Sequence, residues 1–330
     1  MIFEGGSGAG KTSALVKKYV ELVNSGVSPD KILVLVQNSA KRKNFIDATK
    51  RSIKCGAYSK FNIYTFFGLC YNSVLDFWPL VEAHIKDPNA QIEPNMCGLE
   101  VSQHIFKKCV EKAHFKGYNS KINLLHQLLR RYSLIVQNAL SDKEVQERAK
   151  MLKESFTQEA FEAINMYKSK TLSLRAFDYL RQVGVFSHIY KIVENAYEYV
   201  FLDDGDEIAP ACFEYLKHIK PSVKEFFVAY DKRGSSRLGY LSAQVVDFPS
   251  FLGEVPCALG TESHAAQEIF ENVRKNKPVS LSRVGFSSFI RRDEMVDEVI
   301  LKINSLLKKG AKPSEIAVVT PCTDGYLKYF

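Results

Sequence analysis

The sequence predicts an α/β fold in which helices flank a parallel sheet, and three observations lead to this prediction. A glycine-rich segment at residues 5–12 separates a short apolar stretch from one with helical apolar spacing. The run at 31–37 is almost continuously apolar, which is typical of a buried parallel strand. Two later apolar runs, at 197–202 and 224–231, both end at acidic residues. Alternation of such strands with helices is typical of α/β proteins.

The glycine-rich segment fits a phosphate-binding loop, because Gly5–Thr12 matches G-x-x-x-x-G-K-[ST] without a mismatch. Glycines let backbone N–H groups point at a phosphate, and the positive end of the following helix favours the anion. We expect Lys11 to reach the β and γ oxygens and Thr12 to place its hydroxyl on Mg²⁺. A chance glycine-rich turn is the alternative, and the order strand, loop, helix argues against it. The predicted phosphate-binding residues are Gly5, Gly6, Ser7, Gly8, Ala9, Gly10, Lys11, Thr12 and Ser13.

The other elements are predicted from apolar spacing and from glycine and proline positions. Residues 95–195 have helical patterns, including a capping-box spacing at Ser141–Glu144, and are interpreted as a helical insertion. Proline and glycine cluster at 248–256, where we place a domain boundary. The predicted strands are 1–4, 31–37, 61–65, 197–202, 224–231 and 315–320; predicted helices include Thr12 to about Asn24, a basic helix near Lys41–Phe45 and Arg292–Leu307.

Length and composition limit the classes of protein to consider. A chain of 330 residues has room for two or three domains, and its 46% hydrophobic and 25% charged residues are ordinary for a globular protein. Seven cysteines without C-x-x-C spacing argue against zinc and disulfide frameworks and favour free thiols in a reducing cytosol. No apolar run approaches the length of about 18 residues that a membrane helix needs, and no signal peptide is evident. We therefore expect a cytoplasmic protein.

The positive charge is concentrated in the helical block. Residues 101–190 hold 15 Lys/Arg and 8 Asp/Glu, a difference of +7 out of the net +8 of the chain. Such an excess suits a polyanionic partner such as nucleic acid. A solvated lysine-rich helical surface is the alternative, and charge alone does not separate the two.

Asp203 and Asp204 supply the carboxylates that a phosphate loop needs. They follow the apolar run at 197–202. We assign Asp203 to Mg²⁺ and Asp204 to the orientation of the attacking water. The alternative is an acidic surface turn, since Asp favours turns. For this assignment we expect the strand ends at residues 4 and 202 to lie side by side, so that the lysine amine and the two acids converge on one triphosphate.

These motifs together resemble the N-terminal part of a superfamily 1 DNA helicase of the UvrD/Rep type. Gly5–Thr12 corresponds to the Walker A loop. Ile32–Phe45 resembles the family's segment that contacts single-stranded DNA, and Tyr64–Cys70 resembles T-F-H-S-F with Phe67 in place of histidine. Phe201–Glu207 stands where V-D-E-x-Q-D is usual. Residues from Arg292 to Pro321 more loosely resemble the opening of the second motor domain.

The resemblance implies a RecA-like P-loop NTPase sheet with a helical insertion and the start of a second RecA-like domain. Residues 1–95 and 195–246 would form the first motor domain, 96–194 the insertion, and 247–330 the start of the second motor domain. It also implies ATP and Mg²⁺ as cofactors and single-stranded or partly duplex DNA as the partner. The implied activity is ATP-dependent 3′–5′ helicase or translocase activity, or the ATP-binding fragment of such an enzyme.

Several residues depart from the family pattern. Asp204 is one methylene shorter than the usual glutamate, and a displacement of about 1 Å can cost about 100-fold in rate. Asp206 stands where a glutamine senses the γ-phosphate, and Ala229–Ala243 fits the next motif only loosely. These departures favour weak hydrolysis, as does our expectation that the remaining motifs of the second motor domain, which supply arginines to the phosphates, would lie beyond Phe330. A hydrolysis-deficient scaffold that binds nucleotide and DNA or a partner protein is the alternative function; a P-loop kinase fits the domain organisation less well.

The predicted DNA contacts combine bases stacked on aromatic rings with phosphates tracked by a basic helix. Core packing is the alternative for the aromatic residues, and a solvated face is the alternative for the basic run. The predicted DNA-binding residues are Asn38, Lys41, Arg42, Tyr64, Phe66 and Tyr240, with Phe67 as a further aromatic near the same path.

Overall fold

The structure is a computed structural model that divides into two compact units, Met1–Glu262 and Ser263–Phe330. The predicted domain boundary at residue 247 lies inside the first unit. The structure describes residues 1–53, 60–78, 80, 94–113, 115, 121–154, 158–174, 176–234, 240–242, 246–260, 265–278 and 285–320.

The first unit is built on a six-stranded sheet whose neighbouring strands are all parallel. Its order is β3-β2-β6-β7-β1-β8. A parallel arrangement brings the carboxyl ends of all these strands to one edge of the sheet, where ligands bind in α/β proteins. The strands are β1 (Ile2–Glu4), β2 (Ile32–Leu35), β3 (Ile63–Tyr64), β6 (Tyr199–Leu202), β7 (Glu225–Tyr230) and β8 (Cys257–Ala258).

The α/β prediction is confirmed, and five of the six predicted strands form within their predicted ranges. One detail of the predicted sheet is wrong. The strand ends at residues 4 and 202 do not lie side by side, because β7 pairs with β1 on one side and with β6 on the other. The phosphate loop and the acidic loop are therefore one strand apart at the same edge of the sheet.

Helices cover both faces of this sheet, and strand residues alternate between the two cores. Ile32 and Val34 face a core with Tyr19, whereas Leu33 and Leu35 face the opposite core. The helices of this part are α1 (Lys11–Asn24), α2 (Ser39–Ser52) and α3 (Phe66–Asp76), followed later in the chain by α10 (Pro210–Ile219) and α11 (Phe248–Leu252).

A helical block with its own core lies between β3 and β6, as predicted. Ser141 caps one of its helices with the predicted capping box, in which Ser141 Oγ accepts from the Glu144 N–H and Glu144 accepts from the Ser141 N–H. The block also contains a small parallel pair, β4 (Asn95–Met96) and β5 (Ala176–Phe177). Its helices are α4 (Leu99–Lys112), α5 (Lys121–Gln137), α6 (Asp142–Met151), α7 (Gln158–Leu174), α8 (Tyr179–Phe186) and α9 (Tyr190–Val193).

The proline and glycine cluster at 248–256 belongs to the first unit. Phe248 in α11 is buried, and Asp247 caps this helix through the Ser250 N–H. The chain then enters β8, which pairs with β1. Packing and strand pairing thus continue past the start of the segment where we placed a domain boundary from the sequence.

The second unit contains α12 (Ala265–Arg274) and α13 (Arg292–Lys308), and the predicted helix at 292–307 is confirmed. The predicted buried strand at 315–320 is wrong: residues 316–320 have no regular structure, and Val319 is 90% exposed. The described part of this unit offers no other strand for pairing, and a strand needs a partner for its backbone groups. None of the helices in the described chain is long and apolar enough to cross a bilayer.

Candidate nucleotide-binding site

The phosphate loop runs between the end of β1 and the start of α1. Gly8 and Gly10 have φ angles of +80° and +82°, in the left-handed region that glycine adopts without strain. A Cβ on Gly5 would lie 2.8 Å from the Cβ of Ala9. Glycine is therefore required at these three positions by backbone conformation or by close packing, independently of any ligand.

The Lys11 ammonium lies across this loop. Its Nζ donates to the carbonyls of Gly5 at 2.8 Å and Gly6 at 2.9 Å. These bonds hold the positive charge beside the backbone groups that a phosphate would contact. Together with the N-terminus of α1, they produce a site that favours an anion.

Thr12 and Asp203 meet at the carboxyl edge of the sheet. The Thr12 hydroxyl donates to Asp203 Oδ2 at 2.9 Å, with Oδ1 at 3.2 Å. Asp203 follows β6 directly, and its N–H donates to the Leu35 carbonyl at 2.9 Å. The contact joins residues 191 positions apart in the sequence. The fold therefore brings together the two predicted Mg²⁺ ligands.

Asp203 is only 2% exposed, which affects its protonation. Burial raises the pKa of the Asp203 carboxyl, and the neighbouring Asp204 raises it further; the Thr12 hydroxyl and Lys41 act in the opposite direction. A nearby cation favours the charged form of a carboxylate. The charged form of Asp203 is thus disfavoured in this structure, and a bound metal ion would stabilise it.

The donors at this position fit Mg²⁺. A hydroxyl and a carboxylate are the hard oxygen ligands that Mg²⁺ prefers. In the described residues, no group of three or more His, Cys, Asp or Glu side chains could hold a metal ion by itself. Mg²⁺ is usually held by one or two protein oxygens together with nucleotide phosphates and water.

Asp204, the candidate base, forms an ion pair that sequence reasoning did not anticipate. Its carboxylate contacts the ammonium of Lys41, which lies in the first turn of α2. The Asp204 backbone is left-handed, with φ 51° and ψ 52°. Because β2 and β6 are neighbours in register, the residues that follow these strands meet at one edge. Strand order would have been needed to predict this pair.

Asp206 and Glu4 also have structural partners at this edge. Asp206 Oδ1 accepts from the Asp231 N–H at 2.9 Å and so fixes the turn after β7. Glu4 accepts from the Tyr230 hydroxyl at 2.8 Å. From the sequence, Asp206 was identified only as the residue that stands where the family has a γ-phosphate-sensing glutamine. Residues 235–239 and 243, which complete the loosely matching motif, lie outside the described residues.

The polar residues predicted to contact DNA take part in the fold. Asn38 caps α2 by accepting from the Lys41 N–H at 3.0 Å. Arg42 Nε donates to the Ile63 carbonyl at 2.5 Å and so ties α2 to β3. Lys41 pairs with Asp204. All three residues lie at the acidic-loop edge of the sheet, and each one has a partner within the chain.

The aromatic residues predicted to stack bases are largely packed. Tyr64 is 7% exposed, with its hydroxyl 3.3 Å from Asn62 Oδ1, which corresponds to the core-packing alternative. Phe66 contacts Phe186 edge to face. Phe67 similarly meets Tyr179. Little of Tyr64 is thus exposed to solvent.

Tyr240 lies next to the helical block. Its ring is half-buried beside the core of that block, and its N–H donates to Asn138 Oδ1 at 3.0 Å. Burial raises the pKa of the Tyr240 hydroxyl. Tyr240 is thus held by contacts with the helical block.

A glycine-rich loop, its lysine and a Thr–Asp pair at the carboxyl edge of a parallel sheet define the class of P-loop nucleotide-binding proteins. Within this class, the family described as UvrD/REP helicase N-terminal domain matches residues 1–234, and the chain belongs to that family. The family consists of superfamily 1 helicases, so membership implies nucleotide binding and indicates DNA as the substrate. No curated protein matches the chain.

Proposed function

We propose that this chain is the motor part of an ATP-dependent DNA helicase or translocase of the UvrD type, which couples ATP hydrolysis to movement along single-stranded DNA. The contact between Thr12 and Asp203 is the observation that supports this proposal most directly. It joins the phosphate loop to the acidic loop around one point, as a motor that binds Mg·ATP requires.

The proposal assigns a role to each residue of the site. The loop from Gly5 to Ser13 holds the phosphates through backbone N–H groups, and Lys11 provides positive charge at the β and γ oxygens. Thr12 and Asp203 would hold Mg²⁺. When bound, Mg²⁺ neutralises charge on the β and γ phosphates. Asp204 orients the attacking water.

The domain layout belongs to the same proposal. Residues 1–95 and 195–246 act as the first motor domain, 96–194 as an insertion that carries positive charge towards DNA, and 247–330 as the start of a second motor domain. The basic excess of residues 101–190 supports contact of the insertion with a polyanion.

A nucleotide-binding scaffold with little hydrolysis is the second candidate, and one observation favours it. The carboxylate of Asp204 is neutralised by Lys41 rather than free to orient water. Asp204 is also one methylene shorter than the glutamate usual in the family. Such a protein would bind nucleotide and then hold DNA or a partner protein.

Phosphate release separates the two functions. The full chain is incubated with Mg·ATP with and without a single-stranded oligonucleotide, and nucleotide binding is measured in parallel with a fluorescent analogue. A motor binds the analogue and releases phosphate faster when DNA is present. A scaffold binds the analogue but shows no DNA-stimulated release, and a chain that does not bind the analogue is neither.

A further inference from the structure

The ion pair between Lys41 and Asp204 links two surfaces that the proposed function keeps separate. Asp204 belongs to the nucleotide site, whereas Lys41 begins the basic run of α2. The pair spans 163 positions of the sequence and is possible because Leu35 and Leu202 are register partners on adjacent strands. The residues after these two strands therefore face each other.

The two partners differ in their access to solvent. The Lys41 side chain is 39% exposed, while that of Asp204 is 16% exposed. An anion arriving from solvent can therefore reach the ammonium while the carboxylate stays covered. Lys41 also sits at the end of α2 with no acidic residue in the first turn, beside exposed Arg42 and Lys43. The local charge favours a polyanion.

The helix cap holds Lys41 at this point. The Lys41 N–H is bound by the Asn38 side chain, so its backbone is fixed in the first turn of α2. The Lys41 side chain beyond this backbone is flexible and can contact different anions. The Lys41 side chain is partly exposed, and ion pairs in contact with solvent are weak, so a phosphate can compete with Asp204 for the ammonium.

We infer that Lys41 is a switch residue, for whose ammonium Asp204 and a phosphate of single-stranded DNA compete. Without DNA, Lys41 neutralises Asp204 and withholds its carboxylate from water. When a DNA phosphate binds Lys41, the carboxylate is released and becomes able to orient the attacking water. The effect on hydrolysis rests on the proposed function, while the competition itself does not.

Binding of DNA in the absence of nucleotide tests the competition directly. The probe is a fluorescent oligothymidylate, and its affinity is measured by anisotropy at low salt. Asp204→Asn removes the carboxylate that competes for Lys41, so the ammonium is free to contact a DNA phosphate. One such contact should raise the affinity for the oligonucleotide by roughly threefold to tenfold at low salt. In a Lys41→Ala background the same change should have no effect, because the ammonium is gone.

Asp47→Asn provides the matched control, since it removes one negative charge from the same helix at a position away from the pair. It should raise affinity much less than Asp204→Asn does. Equal gains in the wild-type and Lys41→Ala backgrounds would show a general charge effect and overturn the inference, as would an oligonucleotide that does not bind at all. Lys41→Gln replaces Lys41→Ala if circular dichroism shows that the alanine variant is misfolded.

Phosphate release tests the consequence for hydrolysis. Lys41→Ala should raise the rate of ATP hydrolysis without DNA. Stimulation by DNA, which is the ratio of the rates with and without DNA, should fall by about the same factor. Lys43→Ala should weaken DNA binding yet preserve full stimulation at saturating DNA. A lower DNA-free rate in Lys41→Ala would contradict the switch. If neither the wild type nor any variant hydrolyses ATP, the proposed motor function is wrong. The binding experiment still shows whether Asp204 and DNA compete for Lys41.

Discussion

The sequence predicts ligand-binding residues both at the phosphate-loop edge and in the α2–β3 region, but the contacts of these residues in the structure differ. At the first edge, Lys11, Thr12 and Asp203 meet around one point. In the second region, Arg42 ties α2 to β3 and Tyr64 is buried. The residues of the first edge converge on one point, whereas those of the second region hold α2, β3 and the core together.

Loss of the Lys11 amine should have the largest effect and would establish the first half of this comparison. Lys11→Ala should abolish nucleotide binding and with it the stabilisation by Mg·ATP, which is about 2.7 kcal/mol at a ligand concentration 100 times Kd. Thermal unfolding with and without Mg·ATP measures this. Lys17→Ala, an exposed lysine on the same helix, is the control and should keep the full shift. Unchanged ATP affinity in Lys11→Ala would refute the site.

Tyr64 tests the second half of the comparison. Tyr64→Leu should cost about 2 kcal/mol of unfolding free energy, because a buried ring and its hydrogen bond are lost. The folded variant should bind single-stranded DNA as the wild type does. Chemical denaturation and oligonucleotide anisotropy give the two numbers.

The exposed Tyr71 is a suitable control for Tyr64. Tyr71→Leu should change stability by less than about 0.5 kcal/mol, as surface substitutions usually do. If Tyr64 does stack on a base, its loss should instead weaken DNA binding by about 1–3 kcal/mol, and the contrast between the two regions would disappear.

Asp203→Asn should have opposite effects on stability and on binding. Since burial raises the pKa of Asp203, its charged form is disfavoured in the folded state; this cost is present above the folded pKa and is relieved as pH falls through that pKa towards the unfolded value. The neutral amide should therefore raise the melting temperature of the ligand-free protein. The same change should weaken Mg·ATP binding by about tenfold, or about 1.4 kcal/mol. A lower melting temperature without ligand would contradict the role of burial.

The Asn38 cap should produce the smallest effect. Asn38→Ala removes an N-cap acceptor and should cost about 1 kcal/mol of unfolding free energy. Asn38→Asp keeps an acceptor at the cap and should restore stability. If Asn38 contacts DNA directly, Asn38→Ala should weaken oligonucleotide binding even where the protein is fully folded.

The sequence was sufficient for the features that depend on local pattern. The apolar run at 31–37, the loop at Gly5–Thr12 and the capping box at Ser141 all form as predicted, since each depends on neighbouring residues. The assignment of Asp203 depended on its position after a strand, and the structure places it beside Thr12.

Features that depend on the arrangement of strands could not be predicted in the same way. The place of β7 between β1 and β6 separates strand ends that we expected to be adjacent. The same strand order brings Lys41 to Asp204. At 315–320 the pattern was apolar enough for a strand, but no strand in the described part of that unit is available to pair with it.

A double-mutant cycle with Thr12→Ala and Asp203→Asn tests most directly whether the two loops bind one Mg·nucleotide. Mg·ATP affinity is measured for the wild type, both single variants and the double variant. Because residues that share one ligand are energetically coupled, we predict that the double variant loses clearly less affinity than the sum of the single losses. Losses that add within about 0.3–0.5 kcal/mol would mean that the two residues act independently, and would contradict the shared site.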